Sequence, residues 1–190
     1  MAKIKNKDKK KGAIIKEILL PQGVMATYNN KELIIKGPKG EVNMIIKSHN
    51  ISVKVEGDKV VFGADRATKE NKKVMGSLVA HTNNMVKGSM ENHTYTLKIC
   101  SGHFPMNVSV SDNKMIIKNF LGEKVPRILK LKDGAVVKVE GSMINVTSPS
   151  KEIAGQVSAD IEQLTRRPGY DTRVFQDGIY ITNKAGKELK

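Results

Sequence analysis

Apolar positions along the chain follow two rhythms. Short runs bounded by turn residues predict strands at 24–28 (VMATY) and 33–36 (LIIK), joined across Asn29-Asn30-Lys31. Further strands are predicted at 41–47, 51–55 and 58–62, the last following Gly57-Asp58. The rhythm then becomes helical: Val74, Met75, Leu78, Val79 and Met85 lie on one face and predict a helix over 68–85. Asp65 and Thr68 are its candidate N-caps. The same sequence of elements follows again. Strands are predicted at 94–99, 108–110, 115–117, 125–131, 135–139 and 143–146. Ser148-Pro149 then reads as a helix start with proline in the first turn. Ile153, Val157, Ile161 and Leu164 form one apolar stripe. A last strand is predicted over 173–182, with Asp177-Gly178 as a turn.

The two halves are copies. Asn30-Lys31-Glu32-Leu33-Ile34-Ile35-Lys36 returns, with one residue skipped near Glu32, as Asn113-Lys114-Met115-Ile116-Ile117-Lys118. Val53-Lys54-Val55-Glu56-Gly57 returns as Val137-Lys138-Val139-Glu140-Gly141, and Lys69-Glu70 as Lys151-Glu152. A period of about 83 residues is too long for a solenoid and suits a duplicated small domain. Strands followed by a helix, twice, predict an α+β protein: two similar tandem domains, each a small antiparallel sheet covered on one face by a helix. The expected division is a basic arm over 1–12, a first domain over 13–88, a second over 89–182 and a basic tail over 183–190. Gly88-Ser89 is expected to end the first helix.

Charge changes the picture. The 190 residues carry 33 Lys and Arg against 19 Asp and Glu, a net charge of +14. Such an excess goes beyond what solubility requires and implies a polyanionic partner. Residues 1–12 hold six lysines (Lys3, Lys5, Lys7, Lys9, Lys10, Lys11) and one acid, a block that orders when it meets phosphates. Residues 89–162 are nearly balanced, with nine bases and eight acids. The sheet of the second domain is therefore expected to be packing surface with charge at its rim. Only 4% of residues are aromatic, which disfavours base-stacking platforms and favours contact with RNA shape and backbone.

Several function classes are excluded. The apolar stretch 14–20 is short and carries two charges, so it is neither a signal-peptide core nor a membrane span. The protein is expected to stay in the cytosol, where the sequons at Asn50, Asn92, Asn107 and Asn145 are accidental. One Cys rules out a disulfide framework and a zinc finger, and His49, His81, His93 and His103 show no ligand spacing. No metal and no cofactor is expected. Cys100-Ser101-Gly102-His103 places a thiol, a hydroxyl and an imidazole close in sequence, but adjacency does not supply a base and its orienting partner. Gly37-Pro38-Lys39-Gly40 lacks the ending of a phosphate loop and reads as a hairpin turn. The chain is not expected to be an enzyme.

Three segments carry a family resemblance. Residues 95–106 (YTLKICSGHFPM), 119–127 (NFLGEKVPR) and 173–180 (RVFQDGIY) resemble the large-subunit ribosomal protein L-six family in its archaeal and eukaryotic form, called L-nine in eukaryotes. Gly155-Gln156 and Glu162-Gln163 fit the same family, and the resemblance covers about residues 14–184. It implies two α+β domains and binding to large-subunit rRNA near the stalk base and the sarcin–ricin loop. Neighbouring ribosomal proteins would be close, translation factors would dock nearby, and one copy would be present per ribosome, with no membrane involved. RNA contacts would come from the second domain and its tail. The matched positions point to His103, Lys124, Arg127 and Arg173, and the basic ends add Arg166, Arg167, Lys184, Lys187 and the N-terminal lysines. Phe104, Phe175 and Tyr180 are expected to pack in the core or at the domain end. The alternative is an RNA- or DNA-binding module outside the ribosome.

Overall fold

The structure, a computed structural model, describes Ile4, Lys5 and residues 12–189. The first unit ends at Asn92 and the second begins at His93.

In the first unit the strands are β1 (Ile4–Lys5), β2 (Ile14–Leu19), β3 (Met25–Asn29), β4 (Glu32–Gly37), β5 (Gly40–Ile45), β6 (Ser52–Glu56) and β7 (Lys59–Ala64), followed by α1 (Lys69–Met90). In the second they are β8 (His93–Cys100), β9 (Asn107–Ser111), β10 (Lys114–Lys118), β11 (Arg127–Lys130), β12 (Val136–Glu140) and β13 (Met143–Ser148). Then come α2 (Lys151–Leu164), β14 (Gly178–Lys184) and β15 (Lys187–Glu188). The predicted α+β plan holds, and each unit divides its antiparallel strands between two sheets. The first has the sheets β1-β2-β7-β6 and β3-β4-β5; the second has β12-β13-β8-β14-β15 and β11-β10-β9.

The copies share one topology. From the edge inward, β6-β7-β2 matches β12-β13-β8. The strand beyond β2 comes from the start of the chain, as β1, and the strand beyond β8 comes from its end, as β14. Turn chemistry repeats as well. Asn30 and Lys31 between β3 and β4, and Asp112 and Asn113 between β9 and β10, all have positive φ, as tight hairpins that follow the strand twist require.

Each helix lays its buried face on both sheets of its own unit. α1 packs on β4 and β5 and on β2 and β7; α2 packs on β8, β13 and β14 and on β11. The first core includes Ile18, Leu33, Ile35, Val60, Phe62 and Met75, and the second Leu97, Met115, Ile117, Ile144, Val157 and Ile161. Thr68 caps α1 by accepting the Asn71 N–H at 3.2 Å.

Six expectations change. The apolar stretch at 14–20 contains a strand, β2, that pairs β7 residue for residue from Ile14↔Ala64 to Leu19↔Lys59. Part of the N-terminal arm, Ile4–Lys5, pairs with β2 as a short strand. The helix α1 does not stop at Gly88-Ser89 but runs to Met90. The hairpin β4–β5 docks there, with the Lys39 N–H donating to the Ser89 carbonyl at 2.9 Å, so Gly88 and Ser89 are buried inside packing rather than marking an end. The cap of α2 is Ser150, whose hydroxyl accepts the Ile153 N–H; Ser148 instead donates to the Gly134 carbonyl and accepts the Ser150 N–H. Finally, residues 173–177 are not strand, because Asp171 folds that segment back on itself. Its carbonyl accepts the N–H groups of Val174 and Phe175. The basic tail is folded too, as the β14–β15 hairpin.

Candidate nucleic-acid interface

Three loops of the second unit meet at one end of its five-stranded sheet: 101–106 after β8, 119–126 after β10, and 165–177 after α2. Two buried or half-buried carboxylates hold them.

The first is Asp177, whose side chain is only 2% exposed. Its Oδ1 accepts the backbone N–H of Gly102 at 2.6 Å and of His103 at 3.0 Å, and its Oδ2 accepts from His103 Nδ1. Burial alone would raise the Asp177 pKa, but these hydrogen bonds together hold it below the usual value. The His103 ring stacks on Phe175, with centroids 4.8 Å apart, and Tyr170 meets Phe175 edge-on at 4.9 Å.

The second is Glu123. Its carboxylate accepts Arg127 Nε and Nη2 at 2.8 and 2.7 Å and Arg167 Nη1 at 3.3 Å. The hydrogen bond from Arg127 holds the Glu123 pKa low. Arg127 Nη1 also donates at 2.6 Å to the carbonyl of Leu164, the last residue of α2, where a helix leaves carbonyls without intrahelical partners. Its guanidinium carbon lies 4.3 Å from the Phe120 ring centroid. Glu123 is aimed by the short turn Phe120–Gly122, where Leu121, Gly122 and the preceding Asn119 all have positive φ. Asn119 Nδ2 ties that turn to the Pro105 carbonyl at 3.1 Å.

Between these anchors lies an open cleft of about 970 Å³. Cys100, Thr165, Arg166, Arg167, Tyr170 and Tyr180 are among its walls. Thr165 closes its base by accepting the Ile179 N–H at 3.0 Å.

The predicted site residues separate into three groups. His103, Lys124, Arg166, Arg167 and Arg173 gather on the three loops, with Arg127 beside them at the start of β11. Among them Arg127 and Arg167 are half-buried and engaged within the unit, Arg167 also lying 4.4 Å over the Tyr170 ring, so they shape the surface. Arg166 and Lys124 are exposed. Arg173 is exposed and forked on Asp171 at 2.8 and 3.1 Å, which lowers the Asp171 pKa and raises that of Arg173. Lys184 and Lys187 form a second group, opposite one another across the β14–β15 hairpin. They sit six residues along β14 from Gly178, roughly 20 Å from the cleft end. In the third group, Lys5 lies in β1, and Lys3, Lys7, Lys9, Lys10 and Lys11 lie outside the described residues. Sequence reasoning missed Asp177 and Glu123 as organisers: Asp177 reads as a turn residue, and its partners stand 74 and 75 residues away. Phe104 and Tyr180 are exposed by 49% and 43%, and Phe175 packs on His103 in the loop rather than in the core.

A carboxylate-held imidazole has the form of a base and its orienting group. Cys100, however, makes no hydrogen bond to that ring among the described residues, and Phe175 covers the ring face. Among the described residues no group of His, Cys, Asp and Glu is placed to hold a metal, and no helix is long and apolar enough to cross a membrane. The arrangement is one of rigid loops that present cations.

Comparison with known proteins agrees with this duplication. The family model for ribosomal protein L6 matches the chain twice, over residues 20–92 and 104–178. Large ribosomal subunit protein uL6 of Methanococcus vannielii is 42% identical over 176 residues, which is 93% of this chain and 97% of that protein. The uL6 proteins of Natronomonas pharaonis and Methanobrevibacter smithii are 42% and 40% identical over 87% and 90% of this chain, and 94% and 97% of their own lengths. A family unit matched in tandem, on two copies of one topology, with relatives aligned along nearly their whole length, means that the chain belongs to the ribosomal protein L6 family.

Proposed function

We propose that the chain is a non-catalytic structural constituent of the large ribosomal subunit, and that it binds large-subunit rRNA near the stalk base and the sarcin–ricin loop. Its relatives are large-subunit ribosomal proteins, not enzymes. The observation that carries the RNA reading is the loop cluster of the second unit. There Asp177 and Glu123 tie together three loops that carry the exposed cations Lys124 and Arg166, and Arg166 lines a cleft with exposed Tyr170 and Tyr180. Rigid loops lose little entropy on binding, and Lys and Arg displace counterions from phosphates. Arg173 exchanges its Asp171 partner for a phosphate, since an exposed ion pair is weak. The β14–β15 hairpin, with Lys184 opposite Lys187, offers a second contact along the same sheet. In this reading the neighbours are ribosomal proteins at the stalk base, with translation factors docking close by.

The test is a titration of deproteinised large-subunit rRNA at several salt concentrations. Replacing Arg173 and Lys184 with Ala is expected to weaken binding and to lower the salt slope by about 1.5, since each phosphate contact adds roughly 0.7–0.9. An unchanged slope removes both residues from the interface. Sedimentation of the native protein with the large subunit, and its release by salt, tests the ribosomal placement itself.

A further inference from the structure

We propose that the outer face of the β9–β10–β11 sheet is a second RNA-backbone contact, separate from the cleft end. The proposal rests on the ribosomal reading above and adds a surface to it.

Register and burial fix which side chains share this face. Met115 and Ile117 of β10 are buried in the core, so Lys114, Ile116 and Lys118 point outward. Across the ladder Lys114 stands opposite Lys130 and Ile116 opposite Ile128, both on β11. On the other side Lys114, Ile116 and Lys118 stand opposite Ser111, Ser109 and Asn107 of β9. The face thus holds three lysines, two isoleucines and three short polar residues, and no acid. None of the three lysines has an ion-pair partner among the described residues. The nearby acids Asp112 and Asp133 sit beyond the strand ends, and Asp133 accepts from Asn113 Nδ2 at 3.0 Å.

Two features indicate a polyanion. Lys114 and Lys130 are directly opposed, an arrangement that destabilises a sheet and that a bound anion would relieve. The duplicated first unit provides an internal comparison. The matching face of β3–β4–β5 pairs Lys36 with Glu41 at 3.0 Å, and Glu32 accepts from Asn43 at 2.8 Å. One scaffold therefore carries a face with two acids and one lysine in one copy, and in the other a face whose only charged side chains are three lysines. The segment 89–162 is nearly neutral only because its acids lie elsewhere. The proposal differs from the expectation that the sheet of the second domain is packing surface with charge at its rim.

The chemistry of the face selects RNA backbone over lipid or an acidic protein. Lys114 and Lys118 are about 13 Å apart along β10 and so address different phosphates. Ser109, Ser111 and Asn107 are short enough to let a sugar–phosphate strand approach and can hydrogen-bond phosphate oxygens and 2′-hydroxyls. A membrane surface would call for larger apolar anchors than Ile116 and Ile128.

The experiment uses the full chain and deproteinised large-subunit rRNA, with bulk duplex RNA as comparison. The triple variant Lys114→Gln, Lys118→Gln, Lys130→Gln is compared with Lys54→Gln, Lys69→Gln, Lys72→Gln, an equal charge loss on the first unit. The sheet variant is expected to lower the salt slope by about two to three and the control by less than one. Its thermal midpoint should equal or exceed that of the unaltered chain, because the opposed pair is removed. Lys114→Arg, Lys118→Arg, Lys130→Arg should keep the slope. An unchanged slope in the sheet variant, as an acidic protein partner on this face would produce, overturns the proposal, as does an equal fall in both Gln variants. If the unaltered chain itself does not prefer rRNA to bulk duplex, the ribosomal reading fails and this proposal falls with it.

Discussion

Removing the Asp177 carboxylate tests whether loop anchoring, rather than strand packing, holds the candidate interface together. Asp177 accepts three hydrogen bonds, two from backbone N–H groups and one from an imidazole, on a side chain 2% exposed. Hydrogen bonds to a charged acceptor contribute about 1.5–3 kcal/mol each, but they are not additive. Gly102 and His103 lie in an exposed loop, so water recovers part of the loss. Asp177→Ala should therefore cost about 2–4 kcal/mol, or about 10–25 °C in the midpoint of a unit of this size. Tyrosine fluorescence follows it well: the chain has no Trp, and of its four tyrosines Tyr95, Tyr170 and Tyr180 lie in the second unit. Asp177→Asn should lose less, because an amide oxygen still accepts from both backbone N–H groups. The pH dependence has a definite sign. The folded pKa of Asp177 is depressed, so its contribution is fully present above the unfolded value of about 3.9 and is lost as pH falls through the folded value. The gap between the native chain and Asp177→Asn should accordingly narrow in acid. A loss below about 0.5 kcal/mol for Asp177→Ala would refute the anchoring argument.

Two further outcomes are expected. A Cβ at Gly37 would lie 2.6 Å from the Ser89 carbonyl oxygen, so Gly37→Ala should lift the β4–β5 turn off the end of α1 and cost roughly 1–3 kcal/mol, read by urea denaturation. Deleting residues 1–12 removes β1 together with six lysines; the protein should stay folded, with a slightly lower midpoint from the exposed edge of β2, and should bind rRNA with a shallower salt slope. Equal affinity would assign the arm to solubility.

The duplication, the α+β class and most strands were legible in the linear order of residues. Period-2 alternation, the apolar stripe of α2 and the Asn30-Lys31 and Gly57-Asp58 turns are local signals. The strand β2 escaped because Lys16 and Glu17 interrupt its apolar run, and only pairing with β7 shows that Ile18 is buried. Residues 173–177 looked like strand because Val174 and Phe175 have β propensity. A local turn at Asp171 and distant hydrogen bonds that Asp177 accepts override it.

For the site, charge density alone named a polyanionic partner and the basic ends of the chain. Which cations remain available is a tertiary matter. Arg127 looks like any other arginine until α2 ends beside it and Glu123 takes its fork. Lys114 and Lys130 are sixteen positions apart and appear unremarkable in a neutral segment until the β10–β11 register sets them face to face. Composition is a sum over the chain, whereas a binding surface depends on how the pleat sorts those charges between its two sides, and that sorting exists only once the strands have paired.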